Sequence, residues 1–104
     1  MDPFEKRAGW WWLSFMDPKK PAGSRFLGVI VIEAASFDMA IRTTHAMWIN
    51  PGGEVRSHYL GSIKPTWPEE AFSRLLSADK LEELGIGERD PMVRWSARRS
   101  GPPP

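Results

Sequence analysis

Residues 48–55 read Trp-Ile-Asn-Pro-Gly-Gly-Glu-Val, and this stretch decides the fold because a helix has to end within it and a strand has to leave it. Proline fixes its own φ and disfavours helical backbone at the preceding Asn50, while the glycine pair can adopt φ > 0 without a Cβ clash. Glycines at such a position usually only cap a helix, although their N–H groups can also converge on an anion. The stretch therefore predicts a helix-to-strand turn, and the same turn can also be interpreted as an anion-binding site.

The composition limits the class of protein. At 104 residues the chain can build one modest hydrophobic core, and a net charge of +1 selects neither nucleic acid nor an anionic membrane. The absence of cysteine excludes disulfides, thiolate nucleophiles and cysteine-rich zinc sites, and it agrees with a reducing cytoplasm. Neither a signal peptide nor a membrane-spanning run is recognisable, so we expect a cytoplasmic protein.

Hydrophobic periodicity predicts three strands, at 10–15, 26–34 and 54–60, and three helices, at 37–48, 69–76 and 78–84. The second strand is almost continuously apolar, which indicates a central position with both faces covered. Ser36 and Ser77 are typical helix N-caps, and Gly85 predicts a Schellman ending with Ile86 against Leu81. Thr66-Trp67-Pro68-Glu69 has the spacing of a capping box, which would start the second helix.

This order of elements, β-β-α-β-α-α, predicts a single small α+β domain over residues 10–87. We expect a three-stranded sheet in the order one-two-three, with the third strand parallel to the second and the helices mainly on one face. The other face would expose aromatic side chains, which predicts a homodimer or a higher homo-oligomer. Residues 1–9 are expected to be a flexible arm, and residues 88–104 a disordered, basic tail that ends in prolines.

An enzyme is the least supported class. No nucleophile elbow, phosphate-binding glycine loop or dinucleotide motif occurs, and His45 and His58 do not have the spacing of metal ligands. We therefore predict no catalytic residue, no metal and no cofactor.

The turn is the one place where donors, charge and aromatic rings would converge. Glycine amides can bind an anionic group, Arg56 can pair with its charge, and aromatic side chains can stack on a flat ring. We predict a non-catalytic protein that holds a nucleotide-like or other anionic small molecule at this turn. The candidate ligand-binding residues are Asn50, Gly52, Gly53, Glu54, Arg56, Trp11, Trp48 and Tyr59.

Four motifs resemble a family of small, mostly uncharacterised proteins from bacteria and their phages: WWLSF at 11–15, FLGV at 26–29, INPGGEV at 49–55 and SRLLS at 73–77. The resemblance covers about residues 11–84, and it implies a bacterial or phage cytoplasm and no catalytic residues. The alternative function is a protein-interaction module, such as an inhibitor of a host defence complex. It would act through an exposed aromatic surface and the arginines of residues 94–99, with a host protein as partner and neither membrane nor nucleic acid involved.

Overall fold

The computed structural model describes residues 7–86. They form four strands, two α-helices and one short 3-10 turn at Glu69–Ala71. The strands are β1 Gly9–Met16, β2 Phe26–Ala34, β3 Glu54–Gly61 and β4 Leu75–Leu76, and the helices are α1 Phe37–Ala46 and α2 Ala78–Leu84. A small α+β domain is confirmed.

The sheet order is β3-β1-β2-β4, so the predicted order one-two-three is wrong. Strand β1 pairs antiparallel with both β2 and β3, which means that β2 and β3 run in the same direction without being neighbours. The crossover through α1 therefore passes over β1 before it delivers β3. The handedness rule fixes the direction of such a crossover but not how many strands it skips.

Both faces of the central strands are covered, which corrects the prediction of helices mainly on one face and of an uncovered aromatic face. Helix α1 lies on the side that we call the α1 face, and the segment from β3 to α2 lies on the opposite α2 face. The α1 face buries Trp11, Leu13, Phe15, Ile30 and Ile32, and the α2 face buries Trp12, Val29, Val31, Phe72, Leu76 and Leu81. Because successive side chains of β1 and β2 point to opposite faces, the two strands contribute to two cores, as expected for strands that are apolar on both sides.

The predicted helix over residues 69–76 is replaced by the 3-10 turn and by β4. The N-cap residue of the turn is Pro68, which has no side-chain cap, and Glu69 pairs instead with Lys64 at 2.6 Å, so the capping box does not form. Ser73 then takes φ 57 and donates its N–H to the carbonyl of Val31 at 2.8 Å. Pairing with the edge of β2 outweighs the helical periodicity of this segment because it satisfies backbone groups and buries Leu76 as well.

The predicted starts of α1 and α2 and the predicted end of α2 are confirmed, whereas α1 ends at Ala46 and not at residue 48. Ser36 Oγ accepts the N–H of Met39 and Ser77 Oγ accepts the N–H of Lys80, each at 3.1 Å. Gly85 has φ 69, and the N–H of the buried Ile86 reaches the carbonyl of Leu81 at 3.1 Å, as in a Schellman motif. These features were predictable because a cap depends on a few adjacent residues.

The predicted N-terminal boundary is shifted. Gly9 is the buried first residue of β1, and the hydroxyl of Tyr59 donates to the carbonyl of Ala8 at 2.8 Å, so residues 7–9 belong to the folded unit. The rest of the predicted arm and the predicted tail, with its arginines and Trp95, lie outside the described residues.

Candidate functional site

The turn between α1 and β3 is held by the last turn of the helix. Asn50 Oδ1 accepts the N–H of Gly52 at 2.7 Å, and Asn50 Nδ2 donates to Oγ1 of the buried Thr44 at 2.9 Å. The carbonyl of Thr44 also accepts the N–H groups of Ile49 and Asn50 at 3.1 and 3.2 Å. The amide of Gly52 is therefore already bonded within the turn.

The two glycines have different roles. Both have positive φ, 83 for Gly52 and 77 for Gly53, but a Cβ on Gly52 would meet no atom within 4 Å. A Cβ on Gly53 would clash with the backbone carbonyl of Met16, at the end of β1. Gly53 thus permits the close approach that starts β3 beside β1.

The predicted charge and the predicted rings lie on opposite sides of the sheet. Glu54 and Arg56 are exposed on the side of β3 that shares the α2 face, whereas Tyr59 lies on the α1 face with Trp11. Trp11 is 0% exposed, so its indole cannot stack on a ligand. Tyr59 packs edge-on against Trp11 at 5.2 Å between ring centroids, and it carries the Arg7 guanidinium 5.3 Å above its ring.

Among the predicted site residues, Trp48 combines high exposure with an uncommon backbone conformation. It is 93% exposed, and it has φ 60, in the left-handed region that side chains other than glycine rarely occupy. Its N–H donates to the carbonyl of His45, and the next N–H, from Ile49, donates to Thr44, each at 3.1 Å. This is a second Schellman motif, with tryptophan in the position that Gly85 occupies at the end of α2.

Two methionines, one in α1 and one at its C-terminal end, are also partly exposed. Met39 is 46% exposed and Met47 is 43% exposed. Helical geometry places their side chains about 80° apart around α1 and about 12 Å apart along it, with Thr43 between them.

Sequence reasoning did not note the exposure of the two methionines, and it placed Trp48 inside the helix. The periodicity of residues 37–48 predicted a helix that includes Trp48 on its buried stripe, whereas α1 ends at Ala46 and the indole points to solvent. The spacing of Met39, Thr43 and Met47, four residues apart each time, was the available signal for a second stripe. A left-handed tryptophan has no sequence signature, because glycine is the residue expected there.

A separate surface pocket of about 200 Å³ lies at the other end of β3. It is lined by Leu60, Ile63, Pro65, Thr66 and Trp67, and none of the predicted site residues reaches it. Ile63 is 82% exposed at its edge.

Within residues 7–86, no group of three or more histidine or acidic side chains has the arrangement of a metal site. In the same range, no helix has both the length and the apolar character that crossing a membrane requires.

Comparisons with protein-family models, with curated proteins and with solved structures find no match to this chain. The resemblance to small bacterial and phage proteins therefore stays a prediction.

Proposed function

We propose that this protein is a protein-binding module whose main contact residue is Trp48. The observation that carries the proposal is a 93% exposed indole on a left-handed residue. Left-handed backbone costs a residue with a Cβ about 1–2 kcal/mol, and a large apolar side chain in water gains nothing from burial. A residue that is unfavourable for the fold in both respects is best explained by a contact outside the fold.

The surroundings of Trp48 support a protein partner more than a small anion. Tryptophan and methionine are enriched in interfaces, and buried tryptophans are the commonest residues to dominate binding energy. The cap bonds to His45 and Thr44 hold the backbone of Trp48 in place, which lowers the entropy lost on binding. Of the two predicted anion donors, the Gly52 N–H is bonded to Asn50 within the turn.

The partner surface would be an apolar pocket deep enough for an indole, with an apolar rim for the two methionine side chains. The thioether chains are flexible, so the rim contacts can adapt while the tryptophan provides the specific contact. The module needs no catalytic group for this function.

The experiment identifies the partner and then measures affinity. A photo-reactive amino acid at position 48 should cross-link one protein in cells that make this chain, and the same group at the exposed position 45 serves as the control. Calorimetry with the purified partner should then show a loss of about 30-fold or more for Trp48→Gly, the range of a dominant interface residue. Ile63→Ser, at the far end of β3, should bind like the parent.

The choice of glycine makes the result unambiguous, because it suits the left-handed cap and keeps the fold stable. Unchanged affinity of Trp48→Gly for the cross-linked partner would refute the proposal.

A further inference from the structure

The surface pocket at the Gly61 end of β3 has firm apolar walls on the α2 face. Two of its lining residues, Leu60 and Trp67, pack against the buried cluster of that face. The Trp67 ring stacks on Phe72 at 6.2 Å between centroids and contacts Trp12 edge-on at 6.0 Å, so its position is fixed before a ligand binds. The volume of about 200 Å³ can admit one aromatic side chain, since an apolar cavity of about 150 Å³ takes benzene.

The chain leaves the described fold on this same face. Ile86, the last described residue, is buried in the cluster of the α2 face. Eighteen residues, 87–104, follow it in the sequence, and Trp95 is the one aromatic residue among them. The nine residues from Ile86 to Trp95 can span about 30 Å, which exceeds the length of about 26 Å of an eight-residue strand such as β3. Trp95 can therefore reach the pocket from the end of α2.

The net charges of the two parts of the chain are opposite. Residues 64–86 contain five acidic and three basic side chains, a net charge of −2, and residues 87–104 contain two acidic side chains and four arginines, a net charge of +2. Glu69 lies beside the pocket, because it pairs at 2.6 Å with Lys64, the neighbour in sequence of two lining residues. One of the four arginines directly precedes Trp95. Such complementarity selects the partner and its orientation more than it adds affinity.

We propose that Trp95 of the same chain binds in this pocket, with the neighbouring arginines against the acidic side chains of residues 69–83. Tryptophan and arginine are among the residues that most often dominate binding energy, and the pocket offers an apolar wall to one and carboxylates to the other. A short connection within one chain gives an effective concentration in the millimolar range, so a contact of about millimolar affinity is sufficient. An external ligand of this pocket has to displace Trp95 first.

The first test traps the contact with a disulfide, since the chain contains no cysteine. The full-length variant Thr66→Cys/Ser96→Cys has one thiol on the exposed rim of the pocket and the other next to Trp95. Under mild oxidation it should form a disulfide within one chain about tenfold faster than Ala46→Cys/Ser96→Cys, whose first thiol is exposed at the end of α1 on the opposite face. Cross-links between two chains would assign the pocket to a second copy and overturn the proposal.

The role of the indole is tested by adding Trp95→Ala to Thr66→Cys/Ser96→Cys. The rate of cross-linking should fall about tenfold, to that of the Ala46→Cys control, because the anchoring side chain is lost while the length of the chain is unchanged. An undiminished rate would show that the thiols meet without Trp95, and it would overturn the proposal.

The second test is proteolysis of the full chain without added cysteines. Chymotrypsin cuts after Trp95 only in molecules whose indole is outside the pocket, so the parent should lose residues 96–104 several-fold more slowly than Ile63→Ser, as followed by mass spectrometry. Ile63 lines the pocket and is 82% exposed, so its replacement changes the pocket and not the stability of the fold. Trp48→Gly should be cut like the parent.

Equal cleavage of the parent and Ile63→Ser would overturn the proposal, and it is the result expected if the pocket serves only an external partner. Trp48 contributes nothing to the contact of Trp95, so this inference and the proposed function stand or fall separately.

Discussion

Asn50 donates its side-chain amide to Oγ1 of Thr44 at 2.9 Å, and Thr44 Oγ1 in turn donates to the carbonyl of Ile41 at 2.6 Å. The chain thus leaves α1 through a bonded connection between a buried helix residue and the first residues of the turn. This connection sets both the exposure of Trp48 and the point where β3 begins.

Thr44→Val should lower the free energy of unfolding by about 1–3 kcal/mol, because the half-buried Asn50 amide loses its acceptor. Thr43→Val is the matched control. The hydroxyl of Thr43 donates to the carbonyl of Met39, and its loss leaves no buried donor unpaired, so the change should stay within about 0.5 kcal/mol. Urea denaturation of both variants measures the difference, and equal effects would contradict the assigned role of Thr44.

Substitutions at the two Schellman caps should change the free energy of unfolding in opposite directions. Trp48→Gly should raise the free energy of unfolding by about 1 kcal/mol because glycine accepts φ 60 without strain. Gly85→Ala should lower it by a similar amount; a Cβ there would meet no atom within 4 Å, so only the backbone strain is measured. Thermal unfolding compares the two variants. A destabilised Trp48→Gly would mean that the indole makes contacts that stabilise the fold.

The same substitution, glycine to alanine, can be compared at the adjacent positions Gly52 and Gly53. Gly52→Ala should cost about 1–2 kcal/mol, the strain of a β-carbon at positive φ. Gly53→Ala should cost clearly more, because the same strain is joined by a clash with the carbonyl of Met16. Denaturant titration of both variants decides the point, and equal losses would show that the β1 end adjusts freely.

The interactions of Lys80 predict that the stability of the fold depends on pH in the alkaline range. Its Nζ lies 3.2 Å from Glu70 and 3.4 Å from Glu83. The hydrogen bond to Glu70 is the main cause that raises the pKa of Lys80 above its ordinary value of 10.5. Because the folded pKa is the higher one, the stabilisation is complete below pH 10.5 and is lost as the pH rises through the folded pKa.

The effect should be small because the side chains involved are partly exposed. Glu70→Gln should reduce the loss of stability on the alkaline side, whereas Glu82→Gln, an exposed neighbour on α2, should not. Denaturation midpoints on both sides of the pKa measure this, and an identical pH profile for Glu70→Gln and the parent would contradict it.

Local features of the fold could be predicted from the sequence, and non-local ones could not. The three long strands, α1, α2, and the caps at Ser36, Ser77 and Gly85 follow from patterns of a few residues. The position of β1 between β2 and β3 depends on contacts between distant segments, which periodicity does not specify. The error at residues 69–76 has the same origin, because pairing of Leu75–Leu76 with β2 replaces a helix that local pattern favoured.

The predicted turn between a helix and a strand is present at residues 48–55, whereas its ligand chemistry stays a prediction. Of the two glycine amides predicted to bind an anion, that of Gly52 is engaged by Asn50 inside the turn. Burial of Trp11 and exposure of Trp48 could not be distinguished from the sequence, since both are tryptophans next to apolar residues. Which indole faces water depends on the tertiary contacts of β1 and on the end of α1.

The burial of the β1–β2 hairpin on both faces has a consequence for how the chain folds during synthesis. The hairpin of β1 and β2 is complete once residue 34 is made, yet both of its faces are apolar and need layers that come later in the chain. Helix α1 covers one face first, and the segment up to Ile86 covers the other last. A ribosome-bound chain therefore carries a tryptophan-rich sheet with one open face, and we expect nascent chains to depend on a chaperone until Ile86 has emerged.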